Sequence, residues 1–287
     1  MQRILSRKMS HLEYPAVAKI YQGDPLVTPI KFAGFGVAVS NIENSLPFYD
    51  KIGFSIAVSP PNAKAGGTVV LRNSSGLEVL MMRSDKGHTD NKNILMDYPD
   101  TKAPGHTHIC FTVPNIDETR KYLSSVDIAI SGERPAGKNE NGNTIASLFA
   151  RDLDRTTFEF EIHGKNIDGV VTKEVIGVGA DSTSPQGMDH VGTRVFDVQK
   201  SWNFYAEKLG FVDEVMKYTP NPDAIKNFSP WISRSKNFQD INFIPNANQE
   251  VSQNILLKDG LLPGIVFLTL TVDDVAIDGK VMTMTGS

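Results

Sequence analysis

Two imidazoles and a thiol share one short stretch, Gly105-His106-Thr107-His108-Ile109-Cys110-Phe111-Thr112-Val113. Read as a strand, its alternation puts His106, His108, Cys110 and Thr112 on one face, and Ile109, Phe111 and Val113 on the other. The apolar face suits burial under a helix. The polar face offers imidazoles to whatever the sheet curves around. Further along, Glu159 lies between Phe158 and Phe160, and Glu161 follows on the same face. A carboxylate placed between two phenylalanines needs a partner if it is buried. His190 stands beside Asp189, and Arg194 shares a face with His190 and Gly192, where it could grip a substrate carboxylate or form a structural ion pair. Cys110, the single cysteine, reads most simply as a small buried hydrophobe.

These side chains need a scaffold, and the chain repeats one. Asn115 and Glu118 form an N-cap with its reciprocal partner, so the histidine strand runs into a helix near residues 116–123. The same order opens earlier: Phe32 to Val39 alternates, Asn41 caps a helix, and strand signals follow at Thr68–Arg72 and Leu77–Met82. A third unit opens at Asp189 to Val195, with a helix capped by Asp197 and strands near Phe211–Tyr218, Trp231–Ser235 and Asp240–Ile244. A fourth begins at Gly264. Ser45-Leu46-Pro47-Phe48-Tyr49 before Gly53-Phe54 recurs as Ser201-Trp202-Asn203-Phe204-Tyr205 before Gly210-Phe211, so the repetition is one of residues as well as of period. The expected domains are an irregular lead-in (1–30), a first domain of two units (31–163), a linker (164–187) and a second, truncated domain (188–287).

The totals exclude several classes. With 287 residues, 40% hydrophobic and 22% charged, the chain can bury about two domains' worth of core. A net charge of −4 without long runs of one sign argues against nucleic acid. No apolar run approaches the ~20 residues of a membrane span. A single cysteine excludes an intramolecular disulfide framework, so a cytoplasmic location is expected.

On the repeated strand–helix–three-strand units, their Phe-Tyr…Gly-Phe helix ends, and Arg151-Asp152-Leu153-Asp154 leading to Glu159, the sequence resembles the vicinal oxygen chelate superfamily over roughly residues 31–275. That group includes glyoxalase I, extradiol ring-cleaving dioxygenases and metal-free bleomycin-binding proteins. The resemblance implies an α+β fold of repeated βαβββ units paired into cup-shaped mixed sheets, in two domains with the second incomplete. It also implies metal ligands on the first and last strands of the units. His108 and His190 occupy the first-strand positions of the second and third units, and Glu159 the last-strand position of the second. Gly34 and Phe267 stand at the first-strand positions of the other two units, and neither can bind metal. If units one and two pair, the cup holds Gly34, His108, Glu159 and Glu78. If units two and three pair, it holds His108, Glu159 and His190, the better set.

Two imidazoles and a carboxylate leave open positions on a divalent ion such as Zn, Ni, Mn or Fe. Such an ion can stabilise an enediolate, or activate dioxygen if it is iron. The resemblance thus implies a metal-dependent lyase or isomerase acting on a small oxygen-rich metabolite, with Glu161 or Glu78 as proton carrier and His106 at the rim. The rivals are an Fe(II)-dependent extradiol-type dioxygenase and a metal-free small-molecule binder. The incomplete fourth unit leaves room for a homodimer. Two departures stand out: Arg155 where many family members carry glycine in the turn before the last strand, and Pro47 inside the first helix.

Overall fold

The first unit consists of β1 (Pro29–Val39), helix α1 (Ile42–Lys51), β2 (Ser55–Val58), β3 (Thr68–Arg72) and β4 (Glu78–Arg83). The second follows with β5 (Gly105–Thr112), α2 (Ile116–Ser125), β6 (Ile130–Lys138), β7 (Thr144–Arg151) and β8 (Thr157–His163). The third has β9 (Met188–Arg194), α3 (Val198–Leu209), β10 (Asp213–Met216), β11 (Trp231–Arg234) and β12 (Asp240–Ile244). A short hairpin, β13 (Leu256–Leu257) with β14 (Gly260–Leu261), precedes β15 (Gly264–Val272), the opening strand of the fourth unit. The computed structural model describes residues 29–58, 67–85, 103–138, 142, 144–178, 187–216, 231–235, 240–244, 256–257 and 260–272. Most of the lead-in, and the segment 273–287 that would continue the fourth unit, lie outside the described residues.

Among the described residues the first three units follow the strand–helix–strand order expected from the sequence, and β6 and the β13–β14 hairpin are additions to it. Asn41, Asn115 and Asp197 cap the three helices, each side chain accepting from a backbone N–H of the first turn. β6 escapes pattern reading because Gly132, Pro135 and Gly137 interrupt its alternation, and its register against β7 slips between Arg134 and Gly137.

Strand pairing joins the units in a particular way. Within each unit the first and last strands run parallel: β1 with β4, β5 with β8, β9 with β12. Between units, β5 pairs antiparallel with β9, and β1 antiparallel with β15. The second unit therefore shares a half-sheet with the third, in the order β6-β7-β8-β5-β9-β12-β11-β10, while the first unit shares one with the fourth. The two half-sheets meet through a single pairing of Ile265 with His106.

Alternation along β8 explains how the core and the site divide. Phe158 and Phe160 enter the core, where Phe158 stacks on Phe111 at 6.1 Å and meets Tyr49 of α1 edge-on at 5.7 Å. Glu159 and Glu161, the intervening residues, point the other way, into the half-sheet shared by units two and three. Unit one is also tied to unit two by hydrogen bonds. The Tyr49 hydroxyl donates to Asp152 at 3.0 Å and the Ser40 N–H to Asp154 at 2.8 Å. Around α3, Trp202 and Tyr205 are buried, and Tyr205 packs on Phe243 at 5.3 Å.

Candidate metal centre

Register brings the donors together. Cys110 on β5 lies opposite Glu159 on β8 and opposite His190 on β9, and His190 in turn lies opposite Asp240 on β12. One row of the sheet thus carries Glu159, Cys110, His190 and Asp240. His108 occupies the neighbouring row, facing Gly192. Gly192 leaves the space that the imidazole fills.

Three side chains converge on one point. His108 Nε2 lies 3.1 Å from His190 Nε2, although 82 residues separate them in the chain. Glu159 Oε2 lies 3.3 Å from each of these nitrogens. A divalent ion bonded to nitrogen and oxygen at about 2.0–2.2 Å holds adjacent donors about 3.0–3.5 Å apart. The triangle of Nε2, Nε2 and Oε2 has that spacing, and its two-imidazole, one-carboxylate chemistry suits a divalent transition metal with open positions. Cys110, Glu159, Glu161 and His190 also offer ligand atoms within 4.8 Å of one another.

The electrostatics follow from burial and neighbours. Against the upward push of burial, hydrogen bonds with His108 and His190 hold Glu159 well below the usual carboxylate range. Burial would depress His190, but Asp189 and Glu159 together raise it well above the ordinary imidazole value. His108 is lowered, chiefly by burial. Burial and the neighbouring Glu159 charge push Glu161 up to about 7. Burial pushes the Cys110 thiol well up, so it stays protonated. The half-exposed guanidinium of Arg134 pairs with Glu161 and lies 3.7 Å from Glu159.

The other residues singled out in the sequence lie further off. Glu78 is not brought to this cluster. It sits on β4 in the half-sheet of units one and four, 47% exposed, with Arg72 Nε donating to it at 3.0 Å. His106 Nδ1 lies 2.9 Å from Thr193 Oγ1, and burial pushes its pKa down to about 4, so its ring is neutral at pH 7. Arg194 is partly buried, with Nη1 donating to the Ala103 carbonyl at 3.3 Å. The structure adds His163, which continues the Glu159, Glu161 face of β8. Its Nε2 lies 3.4 Å from Asp189 and 3.6 Å from Glu161. Burial opposes its charge, yet Asp189 raises it to about 9. A spacing of two residues from Glu161 was the available signal for it.

In units one and four the first-strand positions, Gly34 and Phe267, hold no donors. Gly34 at the first-strand position leaves no room for any side chain, since a β-carbon there would lie 1.8 Å from the Glu78 carbonyl oxygen. The Phe267 ring covers Gly36 across β1 and β15.

The family model described as the Glyoxalase/Bleomycin resistance protein/Dioxygenase superfamily matches residues 31–160. No curated protein matches the chain. Among solved structures, a point mutant of glyoxalase I from Zea mays is 14% identical, covering 75% of this chain and 67% of its own, with a TM-score of 0.47. A glyoxalase family protein from Enterococcus faecalis is 22% identical, covering 46% of this chain and 96% of its own, with a TM-score of 0.34. The chain thus spans about two thirds of the maize protein's length.

Proposed function

We propose, from the premise that residues 31–160 belong to the glyoxalase/bleomycin resistance/dioxygenase superfamily, that the chain is a metal-dependent lyase or isomerase acting on a small oxygen-rich metabolite. The observation that carries this reading is the triangle of His108 Nε2, His190 Nε2 and Glu159 Oε2, with edges of 3.1 to 3.3 Å. These three residues would hold the ion, which when bound supplies Lewis acidity toward neighbouring substrate oxygens.

The chain's own groups do the rest. Glu161, poised near 7 and one alternation step from Glu159, would take a proton from a carbon next to a carbonyl and return it elsewhere. Arg134 sets the charge balance beside it, lowering the cost of the ionised form. The buried Cys110 thiol and the Phe149 ring, edge-on to His108 at 6.4 Å, limit water around the donors.

A second reading, an Fe(II)-dependent extradiol-type dioxygenase, is favoured by the donor set itself, because two histidines and one carboxylate are also the ligands of many non-haem iron oxygenases. Reconstituting the metal-free chain with Zn, Ni, Mn and Fe separates the two. Metal-dependent exchange of a substrate C–H proton for deuterium, followed by NMR with small hydroxy-carbonyl compounds, supports the lyase or isomerase. Dioxygen uptake with catechols, restricted to the iron form, supports the dioxygenase. Uptake of none of the four ions would contradict both enzyme readings and fit a metal-free small-molecule binder.

A further inference from the structure

Each imidazole of the trio follows a β-bulge, and in both cases the bulged residue reaches the ring's far nitrogen. Between β5 and β9, His106 pairs with Thr193 and His108 with Gly192, so Thr107 is the extra residue on β5. Further along, Cys110 pairs with His190 and Phe111 with Met188, so Asp189 is the extra residue on β9. Adjacent side chains on a regular strand point to opposite faces. A bulge cancels that alternation locally and re-aims a side chain. Here Thr107 Oγ1 lies 3.1 Å from His108 Nδ1, and Asp189 Oδ2 lies 2.7 Å from His190 Nδ1. Thr107 and Asp189 are 2% and 6% exposed, so little water competes for these contacts.

We infer that Thr107 and Asp189 are paired positioning residues, each receiving the Nδ1 proton of the imidazole that follows it and thereby leaving that ring's Nε2 as the atom that would face the ion held beside Glu159. The inference rests on the metal reading above. A carboxylate accepts but cannot donate, so Asp189 fixes the tautomer of His190 without ambiguity. Its other oxygen lies 3.4 Å from His163 Nε2, which braces the carboxylate from behind. A neutral hydroxyl is the weaker orienter, because a charge-assisted hydrogen bond is about twice as strong as a neutral one. The two bulges therefore do the same task unequally, and His190 becomes the stronger donor of the pair.

The test uses the full chain stripped of metal and titrated with Co²⁺, reading affinity by chelator competition and geometry by the visible absorption of the ion. Metal-free thermal unfolding is followed in parallel. The wild type binds one equivalent. Asp189→Ala weakens binding by about 10–100-fold and shifts the absorption bands, as expected when the partner of a ligating histidine is removed. Asp189→Asn, which still offers an acceptor oxygen but no charge, falls between them, and Thr107→Val weakens binding less than Asp189→Ala. If Asp189→Ala does not fold, the Asn variant carries the test, with severalfold weaker binding expected at unchanged unfolding temperature. Affinity and spectra unchanged in the Asp189 variants, with the wild type still binding, would overturn this inference alone. A wild type that binds no Co²⁺ overturns the metal reading and this inference with it.

Discussion

The His108 ring occupies the face that Gly192 leaves bare. A β-carbon at position 192 would lie 2.1 Å from His108 Cε1 and 2.4 Å from Nδ1. Gly192 is thus the complement of the imidazole across two strands. Because the clash falls on the free end of a ring, the fold can relax by turning His108 out of the site. Gly192→Ala is expected to leave the circular dichroism spectrum unchanged while weakening divalent-ion binding about tenfold or more, comparable with losing a ligand's support. Wild-type affinity in this variant would show that His108 does not need its present orientation.

Gly34, the counterpart of His108 in the first unit, presents the opposite case. Its φ is 153°, and the Glu78 carbonyl oxygen would stand 1.8 Å from a β-carbon added at this position, so nothing soft is there to yield. Gly34→Ala is expected to destabilise the chain by about 2 kcal/mol or more, read as a lowered denaturation midpoint. An unchanged midpoint would mean that β1 and β4 do not approach so closely.

Asp152 gives the stability a pH dependence. Its carboxylate accepts from the Thr156 and Asp154 N–H groups at 2.8 and 3.0 Å and from the Tyr49 hydroxyl at 3.0 Å. Burial nonetheless pushes it up to about 7, with Asp154 adding repulsion. Between pH 4 and 7 the native state then keeps a proton that the unfolded chain has lost, so this group makes stability fall as pH rises through that window. Asp152→Asn keeps the acceptor oxygen and removes the titration. The difference between variant and wild type in urea melts should grow by a few kcal/mol from pH 4 to pH 7 and then level off. Parallel pH profiles for the two proteins would contradict it.

Much of this architecture was legible in the sequence, for identifiable reasons. Caps at Asn41, Asn115 and Asp197, together with strict alternation at Phe158 to Glu161, specify elements and faces from local chemistry alone. The three donors could be named because the family resemblance implies ligands on the first and last strands of the units: His108 and His190 stand at equivalent first-strand positions of the repeat, and Glu159 on a last strand. What alternation cannot show is where it is broken. The extra residues Thr107 and Asp189 add no local signature, since a bulge is defined by the partner strand. For the same reason Asp189 read only as a neighbour of His190. Arg155 was recognised as a departure, and it adopts the left-handed conformation that glycine would take most easily, with φ 62°. The surroundings of Glu78 depend on which units pair, a long-range property that spacing leaves open.

The central claim is that His108, Glu159 and His190 grip one cation between the second and third units. Metal content of the chain purified without chelators, measured by plasma emission alongside His190→Ala and Glu78→Gln, tests it most directly. The expected result is one divalent ion per chain in the wild type and in Glu78→Gln, and loss of that ion in His190→Ala. A wild type free of metal, or a His190→Ala variant that retains its full complement, would contradict the account.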